Sequence, residues 1–222
     1  MRTVVQSVAK TAHVLLVLWA ALSALLALFA FLWLRERHGR AGPFPASDAL
    51  SLLNPLRRFL HPPVPTLLQL FRVGAGDTVL ELGPGPGYFS IEASRLVGSA
   101  GRVICVDVQR GMLSVLHERL WNERVANAHP VVADATRLAL ADGCVDAAFL
   151  VTVLGEIPDR PAAVAELRRV LKPGGVLSIM ETMNDCDYQL EDSVRDLCRS
   201  YGFAEVDHQR QKLGYVLCFT AP

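Results

Sequence analysis

Hydrophobic positions along the chain fall into two regimes. Val14 to Leu34 is an unbroken apolar stretch of twenty-one residues with no charge and with Ser23 as its only conspicuously polar member. From Thr78 onward, short apolar runs of strand length alternate with stretches of helical period, the pattern of a parallel α/β sheet buried on both faces. The runs are Thr78 to Leu82, Arg102 to Asp107, Ala128 to Ala133, Ala147 to Val151 and Val176 to Met180. Helices are expected from Tyr88 to Val97, from Met112 to Asn122 with Met112, Leu116 and Leu120 on one stripe, from Pro161 to Val170, and from Glu191 to Tyr201. Two further runs, Gly202 to Val206 and Gly214 to Phe219, are expected to form two more strands joined by a polar turn.

As a helix rising 1.5 Å per residue, 14–34 spans roughly 30 Å, the thickness of a bilayer's hydrocarbon core. Trp33 stands near its far end, and Arg35, Arg37 and Arg40 follow it like a stop-transfer flank. A cleaved signal peptide is the competing reading, with Ala21-Leu22-Ser23-Ala24 as a mimic of a cleavage site, but the apolar stretch exceeds a signal core. The expected organisation is a flank at 1–13, a transmembrane helix at 14–34, a Gly/Pro-rich linker at 35–46, a juxtamembrane or lid helix region at 47–71 and a catalytic domain at 72–222. Ser47 or Asp48 caps the lid helix, Leu50, Leu53, Leu56 and Leu60 share one side of it, and Pro55 interrupts it.

Net charge changes the picture only when divided. The chain balances 22 basic against 22 acidic residues. Residues 1–42 hold Arg2, Lys10, Arg35, Arg37 and Arg40 against Glu36 alone, so the body carries four more acids than bases. A mildly acidic body argues against a nucleic-acid-binding surface. The five cysteines (Cys105, Cys144, Cys186, Cys198 and Cys218) are scattered without C-x-x-C spacing, so neither a metal site nor a disulfide framework is expected.

The candidate chemistry begins where the first strand ends. Glu81-Leu82-Gly83-Pro84-Gly85-Pro86-Gly87-Tyr88 places three glycines at alternate positions between a strand and a helix, the arrangement that lets a ligand lie against bare backbone beside free helix N–H groups. The dinucleotide fingerprint needs Gly or Ala where Tyr88 stands, and the P-loop needs a Gly-Lys-Ser/Thr that is absent. Asp107, at the end of the second run, is placed beside this loop by the βαβ connection and suits the paired hydroxyls of a ribose.

E-x-G-x-G-x-G resembles the first motif of the class I S-adenosylmethionine-dependent methyltransferases. Asp107, Asp134 and Leu171-Lys172-Pro173-Gly174-Gly175 fall at the family's matching positions, and the core also resembles its ubiquinone/menaquinone methyltransferase-like group. The resemblance implies a three-layer Rossmann-like sheet of seven mostly parallel strands in the order 3-2-1-4-5-7-6, the last strand antiparallel. It implies S-adenosylmethionine as cofactor, held by Glu81, Gly83, Pro84, Gly85, Gly87, Asp107, Val108, Asp134 and Ala135, with Asp134 at the adenine amino group. Glu156 is the candidate general base, and Tyr88, Thr152 and Glu181 are candidates for holding the substrate. Asp142 and Asp146 are read as turn and strand-start residues.

The expected function is methyl transfer to a small, lipid-soluble acceptor, a quinone precursor or a phospholipid amine. The protein is expected to be a single-pass membrane protein with its catalytic domain on the cytosolic side, where this cofactor is made. The alternatives are a non-catalytic scaffold that keeps the cofactor fold and a nicotinamide-dependent oxidoreductase, which Tyr88 disfavours.

Overall fold

The computed structural model describes residues 17, 19–28, 44–53, 62–183, 185 and 187–222. The chain divides into two units, 1–41 and 42–222. In the first, Val17 and residues 19–28 are helical, and every one of them is exposed. Among the described residues no helix is long and apolar enough to cross a membrane. Eleven helical residues, 17 and 19–28, cover about half of the bilayer core. Positions 14–16, 18 and 29–34 of the expected span, the flank 1–13 and the linker up to residue 43 lie outside the described residues.

The second unit holds one sheet of seven strands: β1 (Thr78–Leu82), β2 (Arg102–Asp107), β3 (Ala128–Val132), β4 (Val145–Val151), β5 (Leu171–Thr182), β6 (Ala204–Gln211) and β7 (Gly214–Thr220). Their order is β3-β2-β1-β4-β5-β7-β6, with β1 to β5 parallel to one another and β7 antiparallel to both of its neighbours. Near-continuous apolar strands demand cover on both faces. Helices α1 (Val64–Leu70), α2 (Ser90–Val97) and α3 (Arg110–Asn122) bury one face around Phe71, Phe89 and Phe149. Helices α4 (Arg160–Val170) and α5 (Glu191–Ser200) bury the other around Leu150, Leu167, Leu177 and Phe219.

Three local features depart from the sequence pattern. Leu171 already pairs with Val145, so β5 includes the exposed Lys172-Pro173-Gly174 corner expected as a turn ahead of the strand; a register shift between Val145 and Ala147 absorbs it. β6 begins at Ala204 and continues to Gln211, because pairing with β7 stabilises a segment too polar to read as a strand. The lid region starts as a 3₁₀-helix over Ala46–Leu53, while 54–61, with Pro55, Leu56 and Leu60, lies outside the described residues.

No helix joins β3 to β4, and side chains of α4 hold that connection instead. Arg169 donates to the carbonyls of Leu140 (2.8 Å) and Leu138 (3.0 Å) and pairs with Asp142, and Glu166 accepts the Leu138 N–H at 2.7 Å. Asp146 at the start of β4 accepts the Thr78 N–H and pairs with Lys172, which supports its reading as a strand-start residue. Arg169→Ala is expected to lower stability by about 1–2 kcal/mol, the worth of charge-assisted bonds discounted for a partly exposed side chain. The shift of the urea midpoint measures it.

Candidate functional site

The tips of five parallel strands meet along the carboxyl edge of the sheet, and backbone hydrogen bonds lock them side by side. The Gly83 N–H donates to the Val106 carbonyl (2.8 Å), the Ala133 N–H to the Asp107 carbonyl (3.2 Å), and the Thr152 N–H to the Met180 carbonyl (2.8 Å). This ladder brings the glycine loop, Asp107, Asp134, Thr152 and Glu181 to one edge of the sheet, where open α/β folds bind ligands.

Gly83, Gly85 and Gly87 all have positive φ, at 65°, 55° and 85°. The first is glycine for packing: a Cβ there would sit 2.3 Å from Val153 Cγ2. The second is different, because a Cβ at Gly85 would meet only Leu52 Cδ1, at 3.5 Å. An open face on left-handed backbone at a helix approach is where a ligand lies against main chain.

Asp107 is half-buried and accepts the Gln109 N–H at 2.8 Å; burial raises its pKa, and the Gln109 and Val108 amides oppose the rise. Val108 is exposed. Asp134 is exposed, with its pKa lowered because the amide and hydroxyl of Thr136 both donate to Oδ1 at 2.8 Å, an arrangement that leaves Oδ2 for a ligand. Ala135 is partly buried against the core. Pro84 is buried beneath the loop, and Glu81 lies a layer lower, 2% exposed. Ser90 Oγ donates to Glu81 Oε2 at 2.5 Å, tying β1 to the first turn of α2; burial lifts the Glu81 pKa to about 7.

The other half of the edge holds the substrate candidates. Thr152 occupies the left-handed region with φ 54°, a genuine outlier for a β-branched residue and of the kind that gathers at functional sites. Glu156 ends a short 3₁₀-helix, Leu154–Glu156, and its pKa is pushed up to about 8 by burial and then by Asp185, Asp187 and Asp107. Glu181 is 1% exposed with its pKa pushed up to about 8 by burial, with Asp185 and Glu156 adding to the rise and the Gln189 amide and Arg160 opposing it. Its Oε1 is buried without a hydrogen-bond partner. Tyr88 instead turns toward the aromatic core, edge-on to Phe89 at 5.3 Å.

Several residues that shape the site carry no signal in the linear pattern. The Phe44 N–H donates to Glu156 Oε2 (3.4 Å), and its carbonyl accepts from Gln109 Nε2 (2.7 Å), so the backbone of one residue spans from the tip of β2 to the turn after β4. Arg119 of α3 donates to the Pro86 carbonyl at 2.5 Å and braces the glycine loop from behind. Among the described residues no cluster of His, Cys, Asp and Glu could hold a metal ion.

Residues 79–175 match the family model described as a methyltransferase domain. Over that stretch the chain resembles a methyltransferase domain. The ubiquinone/menaquinone biosynthesis C-methyltransferase UbiE of Marinomonas sp. (strain MWYL1) is 39% identical to it over 110 residues, 49% of this chain and 44% of that protein. The UbiE of Pseudomonas putida (strain F1) is 37% identical over 115 residues, 51% of this chain and 45% of that protein. The match therefore spans under half the length of each relative. Among solved structures, a SAM-dependent methyltransferase from Aquifex aeolicus superposes with a TM-score of 0.76 at 23% identity, covering 81% of this chain and all of that one. The [4+2]-cyclase SpnF superposes at 0.63 with 17% identity over 71% of this chain and 80% of its own.

S-adenosylmethionine is the cofactor of this methyltransferase domain, and the residues present fit it. The open Gly85 backbone suits its amino acid end, Asp107 its ribose, and Asp134 Oδ2 its adenine amino group.

Two measurements check this construction. Gly83→Ala is expected to destabilise the domain, since the new Cβ strikes Val153 and left-handed backbone costs about 1–2 kcal/mol. Gly85→Ala, with open space, bears only that backbone cost but weakens cofactor binding by calorimetry about tenfold or more, some 1.4 kcal/mol. Glu181 gives a pH signature. The folded chain keeps its proton to about pH 8, whereas the unfolded chain releases it near the ordinary Glu value of 4.5, so its burial costs stability as pH rises through that window. Glu181→Gln is expected to melt near the wild-type temperature at pH 5 and a few degrees higher at pH 8.5, about 1 kcal/mol being worth roughly 2–4 °C in a domain of this size.

Proposed function

We propose that the protein transfers the S-adenosylmethionine methyl group to a small, lipid-soluble acceptor at a membrane surface, with a quinone precursor as the leading acceptor. The observation that carries the reading is the row of strand tips that sets the open Gly85 backbone, Asp107 and Asp134 on one side of Val153, and Thr152, Glu156 and Glu181 on the other. The names of the UbiE relatives support the quinone class. The exposed apolar helical residues at 17 and 19–28 support a single-pass anchor, and a cofactor made in the cytosol supports a domain on that side.

The bound cofactor supplies a methyl carbon activated by its sulfonium. The protein's part is to hold acceptor and donor about 3–3.5 Å apart and to exclude water. On this reading Glu156 takes the proton that a phenolic or carbon-acid acceptor loses, and an elevated pKa suits a base working near neutrality. Glu156 also suits a second reading, a phospholipid amine, because its carboxylate, once ionised, can take the proton that the ammonium headgroup must lose before methyl transfer.

Incubating the detergent-solubilised full chain with methyl-labelled S-adenosylmethionine and a total lipid extract is expected to label the quinone-precursor fraction. Label in the aminophospholipids would favour the second reading, and cofactor binding without label in any fraction would favour a scaffold. Asp107→Ala is expected to abolish cofactor binding. With the labelled acceptor, kcat/KM is expected to rise with pH through about 8, where Glu156 ionises, and Glu156→Gln to flatten that limb and lower the rate about 10²-fold or more.

A further inference from the structure

Large apolar side chains left in solvent are unevenly placed on the second unit. Among its described residues, Leu50, Val108, Trp121, Val132, Met183, Leu190 and Val206 are exposed by 41–79%. Five of these belong to the carboxyl edge of the sheet. Val108 follows the last residue of β2, Val132 is the last of β3, and Met183 follows the last of β5. Leu190 closes the connection from β5 to α5, and Leu50 stands on the 3₁₀ segment whose Leu52 faces Gly85. Only Trp121, near the far end of α3, and Val206, on the edge strand β6, lie elsewhere.

The chain enters this unit at the same edge. Phe44 is bonded to Gln109 and Glu156, both beyond strand tips. From Leu28, the last described residue of the exposed apolar helix, to Phe44 is sixteen residues, a reach of at most about 55 Å when fully extended. The chain therefore enters the second unit on the edge that carries the apolar tips. Among the described residues the same edge bears Asp107, Asp134, Asp185 and Asp187, with Arg110 and Arg137 beside them. Acids in that number do not suit an anionic headgroup layer, so the attraction is apolar insertion rather than charge.

We propose that Leu50, Val108, Val132, Met183 and Leu190 form a rim that docks the carboxyl edge of the sheet onto an electrically neutral lipid surface, so that the acceptor passes from bilayer to site without crossing water. The proposal rests on the membrane reading above and adds which edge meets the lipid and by what force.

Its test is photocrosslinking of the full chain in phosphatidylcholine vesicles containing tritiated lipid, with p-benzoylphenylalanine placed singly at Leu25, Trp121, Met183, Leu190 or Val206. Lipid adducts are expected at Met183 and Leu190 about tenfold above those at Trp121 and Val206, and to persist at high salt. Adducts at Leu25 with only control levels at Met183 and Leu190 overturn the docking rim and leave the anchor standing. Absence of adducts at Leu25 as well overturns both. Crosslinks from Met183 and Leu190 to a second copy of the chain, in place of lipid, assign the rim to self-association and also overturn the proposal.

Discussion

The hydrogen bond from the Gly83 N–H to the Val106 carbonyl sits where every requirement of the domain converges. It is the last rung between β1 and β2, and one residue later the chain must leave the sheet with no room to spare, because Val153 occupies the space where a side chain would be. Parallel strands tolerate this only if both faces are covered and both neighbours stop at the same level. The register of β1 with β2 and β4 meets that condition, setting Leu82 against Val106 on one side and Leu150 on the other. Asp107 and Thr152 are carried to the same edge as a consequence.

Electrostatics then separates the edge into two halves. On the cofactor side the acids are served by backbone amides: Gln109 for Asp107, Thr136 for Asp134. On the other side the half-buried Glu156 and the buried Glu181 lie among further acids, and their protons are held to about pH 8. Burial of a carboxyl with an unpaired oxygen opposes folding, and acids perturbed in this way gather at functional sites. The strained Thr152 stands between the two halves. Above them the Phe44 backbone bonds to both, so the segment leading in from the amino terminus is part of the site's wall as well as a connection.

Much of this was legible in the amino-acid order, for identifiable reasons. Strand and helix periods reflect burial on two faces, and they placed the strands of the sheet to within a few residues, except that β5 already begins at Leu171 and β6 runs on to Gln211. Composition alone could not foresee that extension, since Ala204–Gln211 is mostly polar and becomes a strand through its pairing with β7. The Lys172-Pro173-Gly174 corner reads as a break locally, and the sheet absorbs it by a shift in register.

The sequence by itself determined the glycine spacing and the acids that end β2 and follow β3, because these depend on chain geometry within a few residues, and the resemblance of that motif to a known family implied the cofactor. Tertiary structure decided what each glycine is for, since only the approach of Val153 and Leu52 distinguishes a packed position from an open one. It decided that Glu81 braces Ser90 from within the core, that Tyr88 turns toward Phe89, and that Phe44 closes over Glu156. Those outcomes turn on residues up to 112 positions apart, and no local pattern encodes a distance that only folding creates.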